Sequence, residues 1–193
     1  LGCLLQSVDR LLEAESSLRR AVDLKPDFPQ AHNNCGIVLQ ALGRLPEAEA
    51  RFRRAVELKP DYHDALYNLG NAQLALGRSL DAETNYRRVL EVKPDYQAAH
   101  HNLGNALKDL GRLEEAVASY RRALELKPDL HDAHTNVIFA LDLIEDRGIG
   151  EQQGERMRWY AQHGKRDAES IRPHRNTADP ERRLRVGYVS ADF

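Results

Sequence analysis

Long apolar runs are missing from this chain: none approaches the roughly 18 residues of a membrane span, so no stretch of it reads as a membrane-spanning helix. Cysteine is nearly missing too. The two present, Cys3 and Cys35, fall at unrelated points of the pattern described below, which excludes a disulfide framework and predicts a reduced, cytoplasmic setting. Excess charge is absent, since a net charge of -2 gives no electrostatic reason to expect nucleic acid or an anionic membrane as partner. No glycine-rich phosphate loop, nucleophile elbow or His-Glu metalloprotease motif occurs, so no catalytic centre is expected in these residues. With 41% hydrophobic and 30% charged residues, the composition is that of an ordinary globular polypeptide.

What the chain does have is a period of 34 residues. The stretch QAAHHNLGNALKDLGRLEEAVASYRRALELKPDL, from Gln97 to Leu130, repeats the frame of HDALYNLGNAQLALGRSLDAETNYRRVLEVKPDY before it. Prolines recur at Pro26, Pro60, Pro94 and Pro128, and glycines at Gly36, Gly70 and Gly104 and again at Gly43, Gly77 and Gly111. Ala14, Ala48, Ala82 and Ala116 are each followed four residues later by Leu18, Phe52, Tyr86 or Tyr120. A period of this length means stacked two-helix units. In the unit from Gln97, Ala99, Leu103, Ala106 and Leu110 predict a helix A over about 98–110. Gly111 can take the left-handed backbone that ends it, and helix B then runs over about 113–126 until Pro128 stops it. Gly104, Ala116 and Ala123 are small where the two helices should cross, and Tyr120 fills the space beside them.

Leu103-Gly104, Ala116, Tyr120, Ala123 and Pro128 together resemble the tetratricopeptide repeat. The resemblance implies an all-α fold, a right-handed superhelix in which each helix pair buries its apolar face against its neighbours. Residues 1–28 read as a partial repeat, because Leu1-Gly2 aligns with Leu69-Gly70 partway through a helix A. Full repeats follow at 29–62, 63–96 and 97–130. With no initiator Met and a start partway through a repeat, the chain is expected to be a fragment of something longer, and an exposed terminal repeat is expected to offer a surface for self-association. Ile138 stands where the repeats have glycine, so the pattern ends there. Residues 131–164 are expected to cap the stack, the helix EQQGERMRWYAQHGK with Met157, Tyr160 and Ala161 on one side and Trp159 as an apolar anchor. Residues 165–183 read as a polar linker. Residues 184–193 read as an apolar, β-branched strand, for which the chain supplies no sheet, so order is expected to be poor beyond about 165.

Candidate binding residues lie on helix A, which lines the concave face of such a superhelix. Asn34, Asn68, Asn102 and Asn136 share one repeat position, and Asn71 and Asn105 lie three residues beyond two of them. Asn inside a helix costs roughly 0.5 kcal/mol relative to Ala, so its recurrence has a cause. An amide donates and accepts, and a ladder of amides can bind an extended peptide backbone whatever its side chains. The competing reading is that the amides bond one repeat to the next. Asn33, Lys108 and Asp109 are placed near the same groove. His32, His100 and His134 share a position but sit on successive units about 10 Å apart or more, too far for one metal. No metal site and no cofactor are expected in the chain.

The C-terminal residues carry a second resemblance. NVIFALD from Asn136, the Arg156-Met157-Arg158-Trp159-Tyr160-Ala161 segment, His174, Asn176 and DPERRLRVGYVSADF are similar, in order and spacing, to the junction between repeats and catalytic region in O-linked N-acetylglucosamine transferases, particularly the bacterial, SPINDLY-like branch. In that family LRVGYVSADF is the first strand of an α/β (GT-B) lobe. The resemblance implies a parent protein that transfers N-acetylglucosamine from UDP-N-acetylglucosamine to Ser or Thr of proteins, inverting the anomeric centre without a metal. The repeats would hold the protein acceptor and the Asn ladder would grip its backbone. Phe193 precedes the family's functional histidine and its donor-binding residues, so the chain alone is expected to be inactive. Two alternatives stand beside this: a non-catalytic tetratricopeptide scaffold, and an O-fucosyltransferase relative using GDP-fucose.

Overall fold

The computed structural model describes residues 2–144 and 149–164. The described residues form α1 (Gly2–Leu24), α2 (Pro29–Ala41), α3 (Leu45–Leu58), α4 (His63–Ala75), α5 (Ser79–Val92), α6 (Gln97–Asp109), α7 (Leu113–Leu126), α8 (His131–Leu143) and α9 (Ile149–Trp159), closed by a π-helical turn, Tyr160–Gly164. The architecture is all-helical, a superhelix of antiparallel pairs: α2 packs on α3, α4 on α5 and α6 on α7, and each pair packs on the next. No helix among the described residues is long and apolar enough to cross a membrane.

The turns inside the pairs form as the glycine spacing predicts. Gly43, Gly77 and Gly111 hold φ of 75°, 74° and 74°. In each, the following arginine N–H reaches back to close the helix end, as from Arg112 to the Leu107 carbonyl at 2.9 Å, which satisfies a carbonyl left over at the helix terminus. In α1 the corresponding residue, 34 before Gly43, is Asp9. No glycine offers the left-handed turn there, and α1 runs through as one helix of 23 residues.

The helix crossings are equally direct. A Cβ on Gly36, Gly70 or Gly104 would lie 2.5, 2.7 or 2.5 Å from the ring of Phe52, Tyr86 or Tyr120. Those three aromatics are fully buried, so glycine on helix A is what lets an aromatic from helix B fill the crossing. At the end of the stack the sizes are exchanged, with Ile138 on α8 and Gly154 on α9; nothing lies within 4 Å of a Cβ at Gly154. The terminal pair is held by polar contacts instead. Gln152 donates to the Leu141 carbonyl at 3.1 Å, and Arg156 pairs with Asp142 at 2.6 and 2.7 Å.

The side of α9 expected to pack is the side that faces water. Met157 is 73% exposed and Tyr160 57% exposed, with Ala161 exposed beside them. Glu155, on the opposite side, is 4% exposed and lies within 3.4 Å of Arg121 and 2.9 Å of Arg158. Two arginine ion pairs to that carboxylate, with the His134 ring 3.2 Å away, orient α9. Trp159 is half-buried beside His163, ring centroids 5.6 Å apart. The expected linker over 165–183, the strand over 184–193 and the order of both lie outside the described residues.

A ladder of ion pairs ties neighbouring units together. Glu15, Glu49 and Glu83 are buried on α1, α3 and α5. Each accepts from the arginine after the next unit's turn glycine: Arg44 to Glu15 at 2.7 Å, Arg78 to Glu49 at 2.8 Å and Arg112 to Glu83 at 2.6 Å. Carboxylates taken out of water require such partners.

Candidate functional site

The helices α2, α4, α6 and α8 form an inner row, in which α2 also touches α4 and α4 touches α6. Their facing residues include every asparagine expected to form the ladder. Asn34 is exposed, while Asn68, Asn71, Asn102, Asn105 and Asn136 are half-buried. Asn33 is buried and accepts from Asn68 Nδ2 at 3.0 Å.

The amides are bonded from repeat to repeat. Asn102 Nδ2 donates to Asn71 Oδ1 at 2.8 Å and to Tyr67 Oη at 3.1 Å. Asn136 Nδ2 meets Asn105 Oδ1 at 3.2 Å and His101 Nε2 at 3.1 Å. The second acceptor site on Asn71 and Asn105 is taken by a phenol from helix B, Tyr86 Oη and Tyr120 Oη, each at 2.8 Å. Burial pushes the ionisation of both phenols far above its ordinary range, so each remains a donor. Asn71 and Asn105 present oxygen to the phenol and to the next repeat's amide. The His101 imidazole is likewise held below its usual pKa by burial, against an opposing pull from Asp132. A neutral ring leaves Nε2 free to accept the Asn136 N–H.

The remaining hydrogen-bonding capacity alternates. Both N–H groups of Asn102 and of Asn136 are used, leaving Oδ1 as their outward atom; Asn102 Oδ1 has a long contact from Asn105 Nδ2 at 3.4 Å. Asn71 and Asn105 have their oxygens used and keep Nδ2 hydrogens. Residues three apart on a helix are about 5–6 Å apart. Each middle repeat therefore shows the groove one acceptor and, beside it, one donor.

Tyr67, Tyr86, Tyr120 and His101 belong to this network, although periodicity assigned Tyr120 to packing alone. The signal is internal to the repeats. Tyr86 and Tyr120 accompany Asn71 and Asn105, whereas Phe52, with no hydroxyl, accompanies Ile37 at the asparagine's position. Lys108 sits with Nζ 5.8 Å from the centre of the Phe139 ring. Asp109 accepts a long bond from the Ser79 hydroxyl at 3.4 Å, at the edge of the row.

The histidines do not converge. His32 and His100 each bond a loop carbonyl, that of Pro26 and that of Pro94, at 2.9 Å. At the corresponding place in the last unit, Gln162 bonds the Pro128 carbonyl and His134 turns to Glu155. Among the described residues no cluster of three or more His, Cys, Asp or Glu is placed to hold a metal ion. Cys35 is a buried thiol whose ionisation burial makes harder, which suits a small packing residue rather than a nucleophile. A cleft of about 640 Å³ lies away from the amide row, lined by Leu124, Pro128, His134, Glu155 and Arg158 among others.

Two family models, both of the tetratricopeptide repeat, match the chain, one over residues 27–95 and the other over 67–131. Among solved structures, MamA from Desulfovibrio magneticus RS-1 is similar at 20% identity and a TM-score of 0.74, over 83% of this chain and 88% of that one. YrrB, described as a TPR protein with an unusual peptide-binding site, is similar at 22% identity and a TM-score of 0.72, over 87% and 88%. At such identities the likeness is one of fold. A mutant of the Thermobaculum terrenum O-GlcNAc transferase is 28% identical with a TM-score of 0.62; the match covers 69% of this chain and 26% of that one. No curated protein matches the chain.

Proposed function

We propose that this chain, whose residues 27–131 are tetratricopeptide repeats, holds an extended segment of a partner protein along its inner helix row. The observation that carries the reading is the alternation of amide groups with hydrogen-bonding capacity to spare. Asn68, Asn102 and Asn136 turn an acceptor outward, and Asn71 and Asn105 a donor. An extended peptide has one N–H and one C=O per residue to offer in return, independent of its side chains. YrrB, similar in fold, is itself described by its peptide-binding site. Fluorescence anisotropy with labelled peptide pools tests this: Asn102→Ala and Asn136→Ala are expected to lower affinity for most sequences alike. Unchanged affinity with intact helicity would leave the amides with an inter-repeat role alone.

A narrower reading makes the segment a glycosylation acceptor, held for a protein O-glycosyltransferase that uses UDP-N-acetylglucosamine. The 28% identity to the Thermobaculum terrenum O-GlcNAc transferase supports it, as does the resemblance of the C-terminal LRVGYVSADF to that family's catalytic junction. None of the described residues forms a donor pocket in this reading; the chain contributes acceptor binding. Mass spectrometry of acceptor proteins incubated with the parent protein and UDP-N-acetylglucosamine or GDP-fucose tests it. An added N-acetylhexosamine or deoxyhexose on the acceptor is the expected signature, and no adduct with either donor favours the non-catalytic scaffold.

A further inference from the structure

The groove has more than amides. The repeat position that carries Asn71 and Asn105 in the middle units carries Ile37 in the first and Phe139 in the last. Both are apolar and open to solvent, Ile37 46% exposed and Phe139 53% exposed. An apolar side chain therefore stands at each end of a polar amide band. We propose that the groove selects extended peptides carrying two apolar side chains about eight residues apart, one for Ile37 and one for Phe139. The proposal rests on the peptide-holding reading above and specifies which peptides are held.

The spacing follows from the register. Ile37 and Phe139 are separated by three repeats of 34 residues. Equivalent helices of successive units lie about 10 Å apart, so the two side chains are about 30 Å apart along the row. An extended chain spans about 3.3–3.6 Å per residue and crosses that distance in about eight or nine residues. Between the ends, Asn71 and Asn105 have no apolar surface to offer, and they contact backbone only. Charge gives the peptide a direction. The Lys108 ammonium lies 5.8 Å from the Phe139 ring centre, with the exposed Asp109 carboxylate a loose 3.8 Å away on the same helix. An acidic residue beside the second apolar residue complements that cation.

Other apolar surface does not make the same pattern. Met157 and Tyr160 are exposed, but on α9 and the turn that closes it, outside the amide row. Nothing in the structure shows what would cover them.

Three labelled dodecamers of Ser, Thr and Gly provide the test. One has Leu at positions 2 and 10 with Glu at 11, one has Leu at 2 and 5, and one has no Leu. The widely spaced peptide is expected to bind about tenfold tighter than either of the others, the scale expected for covering part of two apolar side chains. Phe139→Asn and Ile37→Asn, which install the residue the middle repeats already carry there, should each remove most of that advantage and leave the Leu-free peptide unaffected. Thermal unfolding by circular dichroism confirms that both variants fold. Equal affinity for all three peptides, with Asn102→Ala still weakening them, overturns the two-anchor proposal and leaves the amide groove standing. Binding of none of them, or binding indifferent to Asn102→Ala, overturns both.

Discussion

Asn34 and Asn102 occupy one repeat position, yet truncating them should move stability in opposite directions. Asn in a helix interior is worse than Ala by about 0.5 kcal/mol, and both substitutions regain that. Asn34 is exposed, and among the described residues its side chain has a contact of 3.5 Å from Asn33 Nδ2, too long to contribute much. Asn34→Ala should therefore be neutral or raise stability by about 0.5 kcal/mol. Asn102 gives up two donated bonds, 2.8 Å to Asn71 and 3.1 Å to Tyr67. At about 0.5–1.5 kcal/mol net for each, the loss is roughly 1–3 kcal/mol before the gain in propensity. Because Tyr67 and Asn71 are half-buried, water can replace part of it, and Asn71 Oδ1 keeps the Tyr86 proton. A net loss of about 1 kcal/mol is expected for Asn102→Ala. Urea unfolding followed by far-UV circular dichroism measures both, with amide exchange showing whether the loss is local to α4 and α6, since stacked repeats can open in parts. If the two substitutions shift stability in the same direction, the inter-repeat amide bonds are not what holds the inner row.

Gly104→Ala should destabilise despite alanine's better helix propensity. Its Cβ would lie 2.5 Å from Tyr120 Cε1, and overpacking of about 1–3 kcal/mol exceeds the roughly 1 kcal/mol regained; a raised melting temperature would refute this. Arg112→Ala should cost more than Arg122→Ala in the same assay. Arg112 serves buried Glu83, whereas the Arg122–Glu125 pair is exposed on both sides and contributes little; equal losses would contradict the ladder. Acid should weaken the α6–α8 contact. The folded His101 pKa lies below its usual value through burial, so the unfolded ring binds protons first as pH falls. Stability present above about pH 6.5 is lost below it. His101→Gln, whose carbonyl can still accept from Asn136, should flatten that part of the pH profile, read by melts at pH 7.5 and 5.5.

Periodicity made the pairs, their turns and their crossings legible, because each is decided by one residue with one physical requirement. Gly111 is needed for a positive φ and Gly104 for the Tyr120 ring, and both positions recur. The misses come where one residue has two possible uses. Tyr120 packs as Phe52 does, so its size explained its presence and its hydroxyl went unread until the Asn105 bond was seen. On α9, Met157 and Tyr160 looked like the buried side because they are apolar. Yet it is Glu155 that turns inward, where Arg121 on α7 and Arg158 pair with its buried carboxylate. At the start of the chain, Asp9 in place of a turn glycine was visible, and its consequence was an uninterrupted α1.

The two explanations for the asparagines, bonding between repeats and holding a peptide, were set against each other on sequence grounds, and the geometry removes the opposition. An isolated amide on a helix surface can rotate and flip, and binding a peptide would have to pay for stopping it. Here Asn102 Nδ2 is anchored by two acceptors, and Asn71 Oδ1 by two donors. What is left facing the groove is an oxygen on one and N–H groups on the other, in fixed alternation. Bonds that join the repeats thus pre-orient the groups a peptide backbone would meet, and pre-orientation lowers the ordering cost of binding. The phenols extend the same logic. Tyr86 and Tyr120 fill the helix crossings and also hold Asn71 and Asn105 by their oxygens. Tyr120→Phe would therefore leave the crossing filled while freeing the Asn105 amide to flip. A loss of peptide affinity with nearly unchanged helicity would follow if orientation matters, and affinity equal to wild type would show that the groove does not depend on it.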